Sequence, residues 1–469
     1  MPDGRGDPDP RQRPESTARS GERGAERVRA GRADGAHARA GGSGRHGARR
    51  DPRESPLRDH PRGGSRGAPS STRATRASSR RDEGLSGIRP IATLGSHWVE
   101  TAPDLAQVSQ RLATSGEVAL DTEGDSLHHY PERLALIQLA PASGDVWLVD
   151  PIALGDLGPL ASVFATPSVV TVLHAGDNDL VQLKRRGFGF AALFDTSIAA
   201  RFLGAKALGL DVLLGTYLGV ELPPSRQRDD WSRRPLSEAQ RRYAESDVLH
   251  LFALKRRLTE ELERIGRLAW VEEECAALAA QPAVERIVDP NAFARLKGAR
   301  DLPPQHLAIL RELYELREQL ARSADRPPFK ILAEETLVRL AQNPPADAAA
   351  LAVIPGCTPR VIERWGEAIL ATIARGREIP ETALPVLERS PRLRIPGIAA
   401  RRIEALRQWR TEAAPRLGLE PGLLLPNRLI TAVALAAPRD TEALAMLDGV
   451  RRWRAETFGG EIVAALAAP

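Results

Sequence analysis

The spacing of hydrophobic positions first follows the period of short β-strands. Beyond residue 88, apolar residues fill 118–120, recur with strand-like alternation along 134–140 (LALIQLA) and return at 146–149. Turn signals containing glycine separate these stretches, so they predict a three-stranded antiparallel meander. A further apolar run at 169–173 predicts a buried strand.

Helical periodicity follows this strand-rich segment. Apolar spacing predicts helices at 179–186 and 196–203 and one long helix at 238–265. Ser237, followed three residues later by Gln240, is typical of a capping box and predicts a firm start for the long helix. Because strands come first and helices follow over about 190 residues, the pattern predicts a mixed α/β domain.

Beyond residue 290 the pattern is helical throughout and is interrupted by proline and glycine. The same order of helices and breaks occurs twice, and the segment 364–367 (RWGE) of the first copy matches 457–461 (TFGGE) of the second. We interpret this as an internal repeat of about 80 residues, each copy a compact helical domain. Aromatic residues at helical spacing in the two copies are expected to be core residues: Trp365, Trp409, Trp453 and Phe458.

The beginning of the chain differs from the rest in composition. Residues 1–84 lack Phe, Tyr and Trp and carry 20 Arg against 12 Asp and Glu, a net charge of +8, whereas the whole chain of 469 residues carries +5. Such a segment cannot bury enough apolar surface to offset its ordering entropy, so we expect it to be disordered. Three interpretations of this segment are open: a weak nucleic-acid tether, a solvated tail, or an over-long start of the predicted gene. The predicted divisions are a tail at 1–87, the α/β domain at 88–280 and helical domains at 292–378 and 385–469.

Cysteine content and hydropathy restrict the cellular compartment. Cys275 and Cys357 are the only cysteines, so the sequence indicates neither a disulfide framework nor a zinc site. No run of 18 apolar residues predicts a membrane span, and the N-terminal region lacks the apolar core of a secretory signal. We therefore expect a cytoplasmic protein without membrane association, and the sequence indicates no protein partner.

Two carboxylates stand at the end of the first apolar strand. Asp121 and Glu123 are two positions apart, so their side chains project from the same face of the sheet. Like charges this close repel each other and are seldom left near a core without a cation. The alternative is a polar strand end that meets solvent, which is common for one acidic residue and less so for two.

Two more carboxylates lie on predicted helices. Asp179 follows a buried strand and opens a helix that Asp177 or Asn178 can cap, which leaves an acidic residue for another role. Asp247 lies four residues after Tyr243, so the two are neighbours on one helix face. Alone, such a pair is more often an ordinary surface hydrogen bond.

Together the four carboxylates indicate a site for hard cations. Oxygen ligands without His or Cys select Mg²⁺ or Mn²⁺. Two such ions about 4 Å apart can activate a water molecule and stabilise the leaving oxygen of a phosphodiester. A tyrosine beside them can orient that water without binding metal.

Three blocks that occur in order resemble the exonuclease motifs of the DEDD superfamily, and they are Asp121-Thr122-Glu123, His174-Ala175-Gly176-x-x-Asp179-Leu180 and Tyr243-x-x-x-Asp247. The second block and the segment 229–236 (DDWSRRPL) resemble ribonuclease D in particular. The resemblance implies a ribonuclease H-like α/β domain in which Tyr243 orients the attacking water. It also implies two divalent cations, Mg²⁺ or Mn²⁺, with the ligands Asp121, Glu123, Asp179 and Asp247. The helical units resemble HRDC domains, which accompany ribonuclease D and bind nucleic acid.

Substrate contacts are expected on two segments. His128, His129 and Tyr130 follow the first motif near the expected place of a terminal nucleotide, or they are ordinary loop residues. A basic cluster surrounds Trp231, which we expect to be a core residue. Several of its arginines are expected to contact phosphate, the alternative being a solvated loop. The cluster consists of Arg226, Arg228, Arg233, Arg234, Arg241 and Arg242, and the substrate-binding candidates are Arg228, Arg233 and Arg234.

Two further polar residues near the motifs are expected to be structural. Gln138 lies on a predicted strand, and His174 is expected to support the turn before Asp179. Many members of the family that the chain resembles carry Lys-Ser where this chain has 224–228 (PSRQR), so the backbone contacts of that segment stay open.

These features predict a metal-dependent 3′→5′ exoribonuclease that releases 5′-mononucleotides, and the resemblance implies tRNA precursors or other structured RNA as substrates. A DNA 3′→5′ exonuclease is the enzymatic alternative, because the same ligands act on either sugar. A non-catalytic RNA-binding scaffold is the other alternative, and the complete set of carboxylates argues against it. A helicase is excluded because the sequence lacks a G-x-x-x-x-G-K-[ST] phosphate loop. The helical pair is expected to act as a tether that can be cut away at the linker 281–299.

Overall fold

The structure is a computed structural model, and it describes residues 96–283, 289–387 and 395–467. The expected tail at 1–87 lies outside the described residues. No helix within the three described ranges is long and apolar enough to cross a lipid bilayer.

Six strands form the sheet of the first domain: β1 (Ser96–Val99), β2 (Glu117–Gly124), β3 (Leu134–Pro141), β4 (Val146–Val149), β5 (Val170–Leu173) and β6 (Ala192–Asp195). They lie in the order β1-β4-β3-β2-β5-β6. The antiparallel pairs β2–β3 and β3–β4 confirm the predicted meander, and the other neighbours are parallel. The sequence pattern does not predict β1 or β6, because four residues are too few to show a period.

Nine α-helices belong to the same domain among residues 96–283: α1 (Ala102–Ala113), α2 (Pro151–Leu154), α3 (Gly158–Phe164), α4 (Asp177–Lys184), α5 (Thr196–Phe202), α6 (Leu210–Leu218), α7 (Glu238–Leu249), α8 (Leu251–Arg264) and α9 (Leu268–Ala280). The prediction of one long helix at 238–265 is wrong, because the chain breaks at His250, with φ −103° and ψ −1°. The break redirects the chain between the two cores of the domain. Tyr243 of α7 packs in one core, whereas Leu254 and Leu258 of α8 pack in the other.

The two faces of the sheet bury different side chains of β2. Val118 and Leu120 lie in the core that α8 helps to form, and Ala119 lies in the core that contains residues of α7. Because side chains alternate along a strand, Asp121 and Glu123 share the face of Ala119. The two carboxylates therefore point to the layer in which α7 lies.

Two helical domains follow, each made of five α-helices within the described residues. The first contains α10 (Pro304–Ser323), α11 (Pro328–Ile331), α12 (Glu334–Gln342), α13 (Ala348–Ala352) and α14 (Pro359–Glu378). The second contains α15 (Gly397–Leu417), α16 (Pro421–Leu424), α17 (Asn427–Ala436), α18 (Thr441–Ala445) and α19 (Arg452–Ala467). Every helix of the second set begins 93 residues after its counterpart, for example 359 and 452. The predicted repeat is confirmed, although its spacing is 93 residues rather than about 80, and so is an α/β domain followed by two all-α domains.

The second helical domain packs directly against the first domain of the chain. The Trp453 ring stacks on the Trp270 ring with centroids 4.7 Å apart, and it meets Phe202 edge-on at 5.3 Å. These side chains belong to one continuous hydrophobic cluster that spans the two domains. The role of the helical pair as a tether stays a prediction, but this copy also shares a core with the first domain, and its removal would expose Trp270.

The aromatic residues of the two copies differ in burial. Trp409, Trp453 and Phe458 are buried as expected. Trp365 packs against the core of its domain but is only partly buried and also lines a surface cavity, so the expectation of a core residue holds in part. The physical reason is the neighbouring domain: Phe458 occupies the equivalent position in the second copy and is covered by Trp270, with ring centroids 5.8 Å apart.

Candidate active site

β2 extends beyond its parallel neighbour and leaves room for a site. β5 pairs with β2 only along residues 117–119, and β5 ends at Leu173. Asp121 and Glu123 lie beyond this point and pair only with β3 among the described strands. The start of α4 contacts β2 here, so a helix replaces the missing strand beside the two carboxylates.

A buried carboxylate fixes the turn between β5 and α4. Asp195, at the end of β6, accepts hydrogen bonds from the backbone N–H groups of Ala175 (3.1 Å) and Gly176 (3.0 Å). The His174 ring lies 2.9 Å from Thr196 Oγ1, which confirms that it supports this turn. The start of α4 is thus held to β6 and α5.

α4 begins without a side-chain cap. Gly176 is its N-cap, so the expectation that Asp177 or Asn178 caps the helix is wrong. A Cβ atom at Gly176 would lie 2.5 Å from a methyl group of Leu173 in β5, so a larger residue there would force that leucine side chain to shift. Asp179 follows in the first turn, and Thr122 Oγ1 donates a hydrogen bond to its Oδ1 at 2.5 Å. This bond holds the Asp179 carboxylate beside β2.

α7 brings a third element to the same place. Ser237 and Gln240 form the predicted capping box at its start. The helix packs on β2, β3 and β4, and Tyr243 and Asp247 are 6% and 8% exposed. A helix fixed at its N-terminus therefore places a tyrosine and a carboxylate over the end of β2.

The carboxylates converge at this point. Oxygen atoms of Asp121, Glu123 and Asp247 all lie within 4.8 Å of one another. Asp179 lies beside them, and its charge raises the pKa of each of the other three. The structure therefore brings together all four carboxylates predicted from the sequence, three of them at distances that one cation can span.

Burial is the largest cause that raises the pKa of every carboxyl group in this cluster, and repulsion from other carboxylates of the cluster raises the pKa of Asp121, Glu123 and Asp247 further. The pKa of Asp247 rises to about 7 and that of Glu123 to about 9. The pKa values of Asp121 and Asp179 are also raised. Such a cluster is costly to ionise in the absence of positive charge, and a divalent cation removes that cost.

The phenol of Tyr243 stays protonated in this environment. Burial raises its pKa most, and the charges of Asp247, Glu123 and Asp121 raise it further. Tyr243 donates a hydrogen bond to Asp247, which lowers the pKa of that carboxyl group in part. A neutral phenol at this position can hydrogen-bond to a water molecule at the cluster without being a metal ligand.

The loop after β2 contacts the first helical domain. The His129 Nδ1 atom lies 2.7 Å from Asp325 Oδ2, and the backbone N–H of Tyr130 donates to Asp325 Oδ1 at 3.1 Å. His128 Nε2 lies 2.9 Å from the carbonyl oxygen of Arg228. These residues therefore brace the loop, and their contact with substrate stays a prediction.

The arginines of the basic cluster differ in how many of their N–H donors are already used within the protein. Arg234 uses all five N–H donors within the chain, two of them on Asp150 at 2.6 and 2.7 Å. This corrects the expectation that Arg234 contacts phosphate, because no donor is left for it. Arg233 is 82% exposed with one ion pair to Asp230, and Arg228 is exposed, so their phosphate contacts stay a prediction. The other Arg234 donors bind the carbonyl oxygens of Trp231, Arg233 and Ala135.

Sequence reasoning missed two buried carboxylates that position the site. Asp195 anchors the turn before α4, and Asp150 caps α2 while holding Arg234. Each stands at a strand end directly before a helix, and this placement is the signal that could have identified it as a cap. Trp231 is fully buried, which confirms that it is a core residue. Gln138 is also fully buried, and its structural role stays a prediction.

Comparisons with known proteins agree with this organisation. The sequence model of a 3′-5′ exonuclease family matches residues 96–263. The HRDC domain model matches residues 306–373 and 399–466. The first match contains the whole carboxylate cluster, and the other two fall on the two helical domains.

Relatives with an assigned activity match nearly their whole length. Ribonuclease D of Pseudomonas paraeruginosa is 35% identical over 376 residues, which cover 79% of this chain and 97% of that protein. Ribonuclease D of Gluconacetobacter diazotrophicus is 35% identical over 370 residues, with 78% and 91% covered. The crystal structure of Escherichia coli RNase D is described as that of an exoribonuclease involved in structured RNA processing. It superimposes on this chain with a TM-score of 0.59 at 26% sequence identity, and the match covers 79% of this chain and 98% of the Escherichia coli chain. The chain therefore belongs to the ribonuclease D family of 3′→5′ exoribonucleases.

Proposed function

We propose that this ribonuclease removes single nucleotides from the 3′ ends of structured RNA, including tRNA precursors, and that two Mg²⁺ ions at the carboxylate cluster drive the reaction. The observation that carries the proposal is the convergence of Asp121, Glu123 and Asp247 within 4.8 Å, with Asp179 beside them. The substrate class is supported by the Escherichia coli relative, which is described as acting in structured RNA processing.

The donor set fits hard divalent cations. Among the described residues, the cluster consists only of carboxylates, which favours Mg²⁺ or Mn²⁺ over zinc. We assign the ligand role to Asp121, Glu123, Asp179 and Asp247, whose raised pKa values indicate a need for positive charge. When bound, the cations lower the pKa of a water molecule and neutralise charge on the phosphate and on the leaving 3′ oxygen.

Tyr243 orients the attacking water in this proposal. Its neutral phenol is fixed by α7 and by its hydrogen bond to Asp247, so it can hold the water in line with the terminal phosphodiester. The water oxygen forms a bond to phosphorus and loses a proton to solvent, while the bond from phosphorus to the 3′ oxygen of the preceding nucleotide breaks and that oxygen takes up a proton. The products are a nucleoside 5′-monophosphate and an RNA chain with a new 3′ hydroxyl group.

RNA is the proposed substrate, although the carboxylates act on the phosphodiester group, which DNA also contains. The support is the ribonuclease activity of relatives that match over nine-tenths of their own length. We also propose a cytoplasmic location, which is supported by Cys275 and Cys357 being buried and unpaired.

The test uses RNA and DNA strands of the same sequence, labelled at the 5′ end and incubated with Mg²⁺ or with EDTA. The expected result is stepwise shortening of RNA from its 3′ end, release of 5′-mononucleotides, slower reaction of DNA and no reaction in EDTA. Equal rates on the two strands would favour the DNA exonuclease alternative. No shortening of either strand at saturating Mg²⁺ or Mn²⁺ would contradict the proposal.

A further inference from the structure

Gln138 carries a buried amide group without a partner. Its side chain is 0% exposed, and neither its Oε1 nor its Nε2 atom forms a hydrogen bond with any described residue. An amide that is unpaired in a core costs free energy, and an apolar side chain of the same shape avoids this cost. The hydrophobic alternation along 134–140 would accept leucine or methionine at this position. The packing of the core therefore does not explain why the chain has glutamine here.

The register of the sheet places Gln138 opposite a carboxylate of the cluster. Gln138 of β3 pairs directly with Asp121 of β2, and the irregularity in this pairing comes only after Glu123. Directly opposite residues of antiparallel strands project from the same face of the sheet, with Cβ atoms roughly 4.5–5.5 Å apart. A glutamine side chain is long enough to bridge that distance. The Gln138 amide therefore lies on the face of the carboxylate cluster and within reach of Asp121.

The surroundings of Gln138 on this face are apolar. Leu136 and Ala140 are its neighbours along β3, Leu148 lies opposite it on β4, and all three belong to one hydrophobic cluster. Among the described residues of that cluster, Nε1 of Trp231 is the other buried side-chain atom without a partner. An indole N–H is a donor only, so it can pair with the amide oxygen but not with the amide N–H groups. The N–H groups of Gln138 therefore need an acceptor, and Asp121 is the one directly opposite.

Other carboxylates of the cluster already have side-chain donors. Thr122 Oγ1 donates to Asp179 at 2.5 Å, and the phenol of α7 donates to Asp247. Asp121 receives a hydrogen bond from the backbone N–H of Thr122 and none from a side chain of the described residues. Carboxylates that bind a metal ion are in turn held by hydrogen bonds from neighbouring groups. Gln138 is thus an unused donor opposite a carboxylate that lacks a side-chain donor.

We propose that Gln138 is a positioning residue for the cation site and that its Nε2 group donates a hydrogen bond to Asp121 when the cluster holds Mg²⁺. This bond limits the rotation of the Asp121 carboxylate and thereby strengthens cation binding. The inference rests on the proposed function, because it concerns the ligand role of Asp121. The alternative is a role within the core, in which the indole N–H of Trp231 or an internal water is the partner of the amide.

The test compares full-length variants that each remove a buried unpaired polar group and keep the shape of the side chain. Gln138→Met removes the amide, and Gln138→Leu is a second apolar replacement that guards against a packing fault. Thr171→Val is the matched control, because Thr171 Oγ1 is also fully buried and unpaired. Thr171 lies on the opposite face of the sheet, in register with Val118, which packs in the other core. Gln138→Met and Thr171→Val should both melt at or slightly above the wild-type temperature in EDTA.

Mg²⁺ binding should separate the two positions. Calorimetry without substrate should show that Gln138→Met binds Mg²⁺ about 10-fold more weakly than the wild type, whereas Thr171→Val binds it unchanged. Hydrolysis by Gln138→Met should need a correspondingly higher Mg²⁺ concentration for half of the maximal rate, and saturating Mg²⁺ should restore most of the rate. The KM for RNA should stay unchanged, because the amide acts on a metal ligand and not on the substrate.

Failure of this inference is distinguishable from failure of the proposed function. Wild-type protein that neither binds Mg²⁺ nor hydrolyses RNA would contradict the proposed function and the inference together. If the wild type binds and hydrolyses, unchanged Mg²⁺ affinity in both Gln138 variants would overturn the inference alone. A lower melting temperature of both Gln138 variants in EDTA, with unchanged Mg²⁺ affinity, would assign the amide to the core. Equal weakening of Mg²⁺ binding in Thr171→Val would also overturn the inference, because the effect would then come from any change in the sheet.

Discussion

Replacing Asp247 by Asn tests two properties of this residue separately: the stability lost by burying its charge and its contribution to catalysis. Burial raises the pKa of Asp247 from 3.8 to about 7 in the metal-free protein, with Asp179 adding repulsion and Tyr243 offsetting part of it. Because the folded-state pKa of this acid is raised, the fold loses stability as the pH rises from the unfolded pKa of 3.8 to about 7, and the full cost applies above pH 7. Three pKa units correspond to an upper bound of about 4 kcal/mol, and dielectric relaxation reduces this to about 1–2 kcal/mol.

Asp247→Asn should therefore melt roughly 2–4 °C higher than the wild type in EDTA at pH 8, and the difference should narrow toward pH 5. Hydrolysis should fall by about 10³-fold or more in this variant and in Asp121→Asn, because each loses a metal-binding charge. Asp145→Asn, in the turn between β3 and β4, is the charge-matched control and should change neither property. A lower melting temperature of Asp247→Asn at pH 8 would refute the burial argument, and near-wild-type turnover at saturating Mg²⁺ would refute the ligand assignment.

Three further substitutions test separate parts of the account. Tyr243→Phe should slow hydrolysis by roughly 10–10³-fold while calorimetry shows unchanged Mg²⁺ affinity, and a loss of affinity as large as in Asp247→Asn would disprove the water-orienting role. Trp453→Ala should lower the free energy of unfolding in urea by about 3–5 kcal/mol, whereas a change under about 1 kcal/mol would mean that the second helical domain does not share the catalytic core. Arg234→Ala should lower the free energy of unfolding by about 3 kcal/mol, because it leaves the buried Asp150 without its ion-pair partner. The same variant should bind RNA as tightly as the wild type. Arg233→Ala should leave the melting temperature unchanged and weaken RNA binding in anisotropy measurements. Identical behaviour of the two variants would contradict a structural role for Arg234 and a phosphate-binding role for Arg233.

The fold was predictable where a period extends over enough residues. The alternation along 134–140 gave the central strand, and the capping box at Ser237 gave the start of α7. The break at His250 was not predictable, because the residues before and after it keep one helical spacing although they pack in different cores. Strands of four residues, such as β1, owe their existence to pairing with a partner strand and leave no period of their own.

The four carboxylates were predictable because local spacing places each at a strand end or on a helix face. The roles of Arg234 and Trp453 were not, because both depend on partners distant in the sequence. Asp150 lies 84 positions from Arg234 in the sequence, and it accepts hydrogen bonds from the Arg234 guanidinium group that would otherwise be available to RNA. Trp453 is a core residue because Trp270, on another domain, stacks on it. Composition could indicate a basic loop and an aromatic helix, but tertiary contacts decide which of these side chains remain free for RNA.

The most direct test of metal-assisted hydrolysis at the carboxylate cluster replaces one non-bridging oxygen of the 3′-terminal phosphodiester by sulfur. Mg²⁺ is a hard cation that binds sulfur poorly, whereas Mn²⁺ accepts it more readily. We expect one stereoisomer of this RNA to be hydrolysed much more slowly than the unmodified strand in Mg²⁺, and Mn²⁺ to restore most of the rate with the wild-type protein but not with Asp121→Asn. An equal decrease in Mg²⁺ and Mn²⁺ for both stereoisomers would contradict direct contact between the scissile phosphate and cations held by these carboxylates.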